Sequence, residues 1–118
     1  MSIAANIVVA LVALLHAWFL VLEMFLWDKP LGLRVFGQTK EAAAASKVLA
    51  ANQGLYNGFL AAGLVWGLLL GAEGTSIKLF FLGCVLVAGL FGAATANRRI
   101  LFVQALPAAL GLALVLLS

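Results

Sequence analysis

The longest apolar run of the chain covers residues 3–27, where only Asn6, His16 and Glu23 interrupt the apolar side chains. A helix that crosses the hydrocarbon core of a bilayer needs about 20 such residues. Asp28 and Lys29, followed by Pro30, end the run, because charge and proline both disfavour continuing a helix in lipid. The run therefore predicts a first membrane-spanning helix.

The composition of the 118 residues agrees with a lipid environment. Hydrophobic residues make up 66% and charged residues 9%, whereas soluble domains have roughly half and about a quarter. The mean hydropathy is +1.21. Ordinary soluble, disordered and nucleic-acid-binding chains have the opposite balance. We therefore expect the lipid bilayer as a partner and no nucleic acid.

The chain has room for about four membrane spans. We predict an all-α, polytopic membrane protein that folds as a compact bundle of four transmembrane helices, in a single membrane domain over residues 1–118. Thr39 can cap the second helix and Glu41 suits its first turn, so this helix should begin before it enters the membrane. The predicted spans are residues 3–27, 47–70, 77–96 and 100–117, with a cytoplasmic connection over 28–46 that includes a loop at 31–38.

The basic residues predict the orientation. Six of the seven lie in the first and third connections, and the seventh, Lys78, lies on the opposite side. Since cytoplasmic connections are enriched in Lys and Arg, we expect those two connections in the cytoplasm. The prediction is a multi-pass protein of the plasma (inner) membrane with both termini outside the cytoplasm.

Small residues recur at four-residue spacing on the second helix. One stripe holds Ala50, Gly54, Gly58 and Ala62, and a second holds Gly63, Gly67 and Gly71. Such stripes let membrane helices approach closely, so two stripes predict two packing partners. Some of them could also join subunits of a homo-oligomer.

Polar side chains gather at one level of the predicted bundle, one to two turns from the cytoplasmic helix ends. At i, i+4 spacing Asn52 pairs with Tyr56 and Gln53 with Asn57, which predicts a polar arc that faces the bundle. A few polar groups among apolar walls are typical of a small-molecule site. We predict a ligand-binding pocket in the cytoplasmic half, formed by Asn52, Gln53, Tyr56, Asn57, Gln104 and Trp27.

Glu23 and His16 are the candidate catalytic residues. A carboxyl group inside lipid is costly and is a candidate proton carrier or general acid/base, although Glu23 could instead form a structural ion pair with Lys47 or Arg99. Seven residues separate it from His16, about 10 Å along a helix, so a water or ligand would have to bridge the two. His16 could equally be a neutral residue bonded to the backbone, and the amides could simply hold the helices together. We expect no metal site, and the sequence does not tell whether the protein binds a cofactor.

Four stretches have the character of a family signature: residues 16–27 (HAWFLVLEMFLW), 49–61 (LAANQGLYNGFLA), 81–93 (FLGCVLVAGLFGA) and 103–107 (VQALP). Together they resemble the bacterial membrane family called domain of unknown function 1304, over nearly the whole chain. EMFLW and NQGLYNGF are its most specific motifs. The resemblance implies a small four-helix bacterial membrane protein without an established reaction, and its motif residues coincide with the polar level.

Three functions remain open, because no phosphate-binding loop, nucleophile elbow or HExxH motif indicates a reaction. The first is binding or transformation of a small apolar or amphipathic molecule, so enzyme activity stays an open question. The second is a structural membrane component that binds a partner. The third is a proton-coupled exporter similar in plan to small multidrug-resistance transporters, whose motifs are not evident here.

Overall fold

A computed structural model describes residues 2–118, of which the great majority are helical and none lies in a strand. The predicted all-α class is confirmed. The helices are α1 (Ile3–Met24), α2 (Pro30–Phe36), α3 (Lys40–Leu69), α4 (Thr75–Thr95) and α5 (Leu106–Leu116), with a 3₁₀ turn at Gly71–Gly74 and a π-helical turn at Leu101–Ala105.

The chain forms two compact units. The first unit comprises Met1–Leu14 and Leu60–Ser118, and the second comprises Leu15–Phe59. Segments of four helices build the core of the first unit, and most of its buried side chains are small or β-branched, which allows close helix packing. The core residues are Ala5, Val9, Val12, Ala13, Leu64, Leu82, Val85, Ala108 and Val115.

Helix α4 and the π-helical turn approach each other closely in the first unit. A Cβ atom added at Gly89 would lie 2.6 Å from the Ala105 nitrogen and 2.9 Å from its Cα. The turn widens where the Leu106 amide bonds to the Leu101 carbonyl. Pro107 follows, has no amide hydrogen and would clash with the carbonyl four residues back in a regular helix. The proline therefore favours the wider turn that packs on Gly89.

In the second unit α2 replaces part of a segment that we predicted as a loop. Pro30 occupies the first turn of α2, where its missing amide hydrogen costs nothing and its fixed φ favours a helix. Gly37, with φ 62°, ends the helix in the left-handed conformation, and its amide bonds to the Leu33 carbonyl. The prediction of a loop over residues 31–38 was wrong. Pro30 at the start and Gly37 at the end favour a helix more than Gly32 inside the segment disfavours it.

The limits of α1 and α3 follow local signals. Thr39 Oγ1 accepts the Ala42 amide at 3.1 Å, so the predicted cap is confirmed and α3 begins at Lys40. Gly71, with φ 62°, follows the end of α3. Helix α1 ends at Met24, three residues earlier than predicted.

Two helical segments, Ile3–Met24 and Gly71–Thr95, are long and apolar enough to cross a membrane. The apolar segment Leu101–Leu116 is shorter. Helix α3 has 30 residues, but the polar residues between 52 and 57 lower its hydropathy.

Candidate functional site

The candidate site in the second unit centres on Glu23 and Asn57. Asn57 Nδ2 donates a hydrogen bond to Glu23 Oε1, which joins α1 to α3. Asn57 is 6% exposed, whereas Glu23 is half-buried. A carboxyl group can form more than one hydrogen bond, so Glu23 retains the capacity to bind a second polar group. This pair is the part of the predicted polar level that the structure brings together.

Two glycines of the predicted first stripe bring α3 close to α1 at this pair. A Cβ atom at Gly54 would lie 2.7 Å from Met24 Cγ and 3.0 Å from Glu23 Cβ, and one at Gly58 would lie 2.6 Å from Leu20 Cδ1. Gly54 precedes Asn57 by less than one turn. The stripe therefore places the Asn57 amide within reach of the Glu23 carboxyl group.

Other members of the predicted polar arc do not join the pair. Asn52, Gln53 and Tyr56 are exposed, and the Tyr56 ring lies 5.9 Å from that of Phe59 on the same helix. Of the four polar residues of α3 in the arc, Asn57 is the buried one. Gln104 belongs to the first unit, within the π-helical turn, and is half-buried.

His16 lies two turns before Glu23 on α1 and is fully buried. Its ring packs edge-on against Phe19, with 5.2 Å between the ring centroids. The spacing on the helix keeps the imidazole about 10 Å from the carboxyl group along the axis. His16 therefore lies about two helical turns away from the Glu23–Asn57 pair.

Trp27, predicted in the wall of the pocket, connects α2 to α3. Its Nε1 donates to Ser46 Oγ at 3.1 Å, and Ser46 Oγ donates to the Ala42 carbonyl at 2.8 Å. The indole also packs against the Phe36 ring at 4.7 Å. The structure thus gives Trp27 a role in holding α2 in place.

Lys47, one of the ion-pair partners considered for Glu23, binds Asp28 instead. Lys47 Nζ lies 2.9 Å from Asp28 Oδ2. The hydrogen bond from Lys47 holds the pKa of the Asp28 carboxyl group below its ordinary value of 3.8. An open cleft of about 330 Å³ lies beside this ion pair, lined by Asp28, Lys40, Glu41 and Ala44. These lining residues differ from the predicted ligand-binding set.

The first unit contains a second polar pair, which the sequence did not predict. Lys78 is fully buried, and its Nζ donates to Asn6 Oδ1 at 3.1 Å. Gly67 leaves room for the lysine, because a Cβ atom there would lie 2.7 Å from Lys78 Cγ. The signal available in the sequence was Gly67, a member of the second stripe, combined with polar residues near the starts of two apolar helices.

The residues that the structure describes contain no group of three or more His, Cys, Asp or Glu side chains placed to hold a metal ion. Cys84 is a half-buried free thiol on α4. The chemistry of the candidate site therefore depends on the carboxyl group of Glu23 and the amide of Asn57.

Comparison with known proteins identifies the family. The sequence profile described as protein of unknown function (DUF1304) matches residues 10–116. The chain belongs to this family. It is also 32% identical over 106 residues to the uncharacterized protein YpaA of Lactococcus lactis subsp. lactis (strain IL1403), covering 88% of this chain and 89% of the relative. No solved structure matches the chain.

Proposed function

We propose that this protein is a multi-pass integral membrane protein whose Glu23–Asn57 pair binds the polar group of a small apolar or amphipathic molecule. The observation that supports the binding proposal is the hydrogen bond from Asn57 to Glu23 between two helices. Neither the family nor the relative has a described activity, so the proposal rests on this chain's own residues.

The distribution of polar and apolar side chains supports the membrane part of the proposal. His16 and Lys78 are fully buried, whereas Val48 is 83% exposed and Phe91 is 68% exposed. Water-soluble proteins rarely expose large apolar surfaces, and ionisable residues of membrane helices turn toward protein. Lipid is the solvent that suits this arrangement.

Four spans account for the helices best. Two segments qualify by length and hydropathy. The 30 residues of α3 extend about 45 Å at 1.5 Å per residue, more than the hydrocarbon core requires, and its buried Asn57 is hydrogen-bonded rather than presented to lipid. Residues 99–116 provide a fourth helical run that includes the π-helical turn.

The basic residues support an orientation with both termini outside the cytoplasm of a bacterial plasma membrane. Lys78 is buried, so it does not add positive charge to the surface of its side. The exposed basic residues then all lie in the first and third connections: Lys29, Arg34, Lys40, Lys47, Arg98 and Arg99. The positive-inside rule assigns these connections to the cytoplasm.

Glu23 would recognise a ligand through the acceptor capacity that Asn57 leaves open. A hydroxyl, amine or amide of the ligand could donate to the carboxyl group, and the ligand's apolar portion would lie among lipid and apolar side chains. Hydrogen bonds to a charged group are worth about 1.5–3 kcal/mol, enough to orient a ligand that is otherwise held by apolar contact. Proton exchange with the ligand would make Glu23 a general acid or base.

Native mass spectrometry tests the proposal. The protein, purified in mild detergent, is compared with Glu23→Gln and with the matched control Glu73→Gln, which makes the same change at an exposed glutamate. We expect a bound small molecule on the wild type and on the control, with at least about tenfold less on Glu23→Gln, the ratio that a loss of about 1.4 kcal/mol produces. Equal retention by Glu23→Gln would contradict the binding proposal and favour the pair as a structural link.

The same spectra report the subunit count. A homodimer without a bound molecule would direct attention to the exporter alternative, whose test is pH-gradient-dependent uptake in proteoliposomes. A monomer without a bound molecule would favour a structural component that binds a partner protein.

A further inference from the structure

One face of α2 packs closely against the backbone that precedes the helix. A Cβ atom at Gly32 would lie only 1.9 Å from the Leu26 carbonyl oxygen and 2.9 Å from that of Trp27. Any larger residue at this position would force the backbones apart. The face of α2 that contains Gly32 is therefore not available to another partner.

The segment around α2 carries exposed basic side chains. Arg34 follows Gly32 by two residues, about 200° around a helix, and is exposed. Lys29, immediately before the helix, is also exposed. Large apolar side chains accompany them, with Val35 46% exposed and Phe25 63% exposed. Exposed cationic and apolar groups thus occur together on one short segment.

Within residues 2–118, neither Lys29 nor Arg34 belongs to the ion pair that the structure shows. Residues 28–47 contain four basic and two acidic side chains, and the ion pair found among residues 2–118 joins Asp28 to Lys47. Without that pair, three basic side chains and one acidic side chain remain in residues 28–47. Lys29 and Arg34 therefore give the segment around α2 a net positive charge.

We propose that α2 docks on the membrane surface and binds the headgroup of an anionic phospholipid through Arg34 and Lys29. This inference rests on the membrane part of the proposed function. The guanidinium of Arg34 matches the two free oxygens of a phosphodiester, and clusters of cationic residues at the membrane surface attract anionic lipids. Phe25 and Val35 enter the boundary between headgroups and acyl chains, as the apolar residues of interfacial helices do.

The bond between Trp27 and Ser46 makes the docked segment rigid. Trp27 packs on Phe36 and donates to Ser46 on α3, so α2 keeps its orientation relative to the start of α3 within this unit. A segment held in this way loses little conformational freedom when it binds lipid. Trp27 also provides a spectroscopic probe beside the proposed lipid site.

The test measures quenching of Trp27 fluorescence by brominated lipids. Trp18 and Trp66 are replaced by Phe, which leaves Trp27 as the remaining tryptophan. The protein is placed in phosphatidylcholine nanodiscs that contain a minor fraction of brominated phosphatidylglycerol or, in parallel, brominated phosphatidylcholine. We expect stronger quenching by the anionic lipid, with an enrichment of about fivefold for each basic residue near the surface.

The variants show whether α2 is responsible. Lys29→Gln/Arg34→Gln should make the two lipids quench equally, whereas Arg34→Lys, which keeps the charge, should retain a preference. Arg98→Gln, which removes an exposed cation from another connection, should change nothing. Equal quenching in the parent protein, or an equal loss in Arg98→Gln, would overturn the docking proposal alone. No quenching by either lipid would overturn the membrane proposal as well.

Discussion

Lys78 Nζ donates to Asn6 Oδ1 at 3.1 Å in the first unit, where the lysine side chain is fully buried. The bond joins the first turns of two apolar helices, α1 and α4. A buried Lys78 amino group without a partner would destabilise the fold, so this bond makes the position of α1 depend on that of α4. The pair is a structural counterpart to Glu23 and Asn57 in the second unit.

Removing one partner of the Lys78–Asn6 pair should destabilise the fold more than removing both. Asn6→Leu leaves the Lys78 amine buried without its acceptor and should lower the free energy of unfolding by about 1–3 kcal/mol. Asn6→Leu/Lys78→Met replaces both groups by apolar ones and should recover most of that loss. Thermal unfolding in detergent, arranged as a double-mutant cycle, measures the coupling. Additive effects of the two substitutions would show that the hydrogen bond contributes nothing.

The close approach of α4 to the π-helical turn predicts opposite effects for two glycines of one helix. Gly89→Ala would place a Cβ 2.6 Å from the Ala105 nitrogen, so the backbones must separate, at a cost of about 1–3 kcal/mol. At Gly83 an added Cβ would meet nothing within 4 Å, and alanine should stabilise the helix by up to about 1 kcal/mol. Melting temperatures of the two variants provide the comparison. A Gly89→Ala protein as stable as Gly83→Ala would be incompatible with this packing.

The ion pair of Asp28 and Lys47 predicts a pH dependence confined to acid. Since the folded-state pKa of Asp28 is lowered below 3.8, its contribution to stability is complete above pH 3.8 and is lost as the pH falls through the folded-state pKa. Lys47→Met should raise that pKa toward its ordinary value. Carboxyl ¹³C titration of Asp28 by NMR measures the change in pKa, which should shrink at high salt because the pair is partly exposed. An Asp28 titration that Lys47→Met leaves unaltered would exclude the pair in solution.

The link from Trp27 to Ser46 predicts local loosening of α2. Trp27→Phe keeps an aromatic ring for Phe36 but removes the donor to Ser46, and Ser46→Ala removes the acceptor. Each substitution should lower the free energy of unfolding by about 1 kcal/mol. It should also reduce the hydrogen-exchange protection of the amides in Pro30–Phe36, while the protection of the α4 amides stays unchanged. Unchanged protection of α2 in both variants would show that the bond does not hold the helix.

Local signals in the sequence were sufficient to predict much of the fold. Thr39 marks the start of α3. The two glycine stripes predict the helix contacts of α3. In the second unit Gly54 and Gly58 contact α1, and in the first unit Gly63 contacts Phe81 of α4. Pro30 and Gly37 are also typical of the two ends of a helix, but Gly32 and Arg34 between them favour a loop. Short helices are difficult to predict because their end signals compete with interior residues of low helix propensity.

The candidate site was predictable only in part. The i, i+4 spacing shows that Asn52, Gln53, Tyr56 and Asn57 share an arc of α3, yet it does not show which edge of that arc meets α1. The rotation of α3 depends on tertiary contacts of Gly54 with Met24 and Glu23. The Lys78–Asn6 bond joins residues 72 positions apart, a contact that periodicity within a helix cannot reveal.

The most direct test of the central claim compares the bound fraction and the thermal stability of Glu23→Gln in the same preparation. Glutamine keeps an oxygen that can accept from Asn57 but lacks the carboxyl group, so the helix link survives while recognition of the ligand by that group is removed. We predict a melting temperature close to that of the wild type and a loss of the bound small molecule in native mass spectrometry. A variant that retains the molecule at the wild-type level would contradict the claim that the Glu23 carboxyl group binds it.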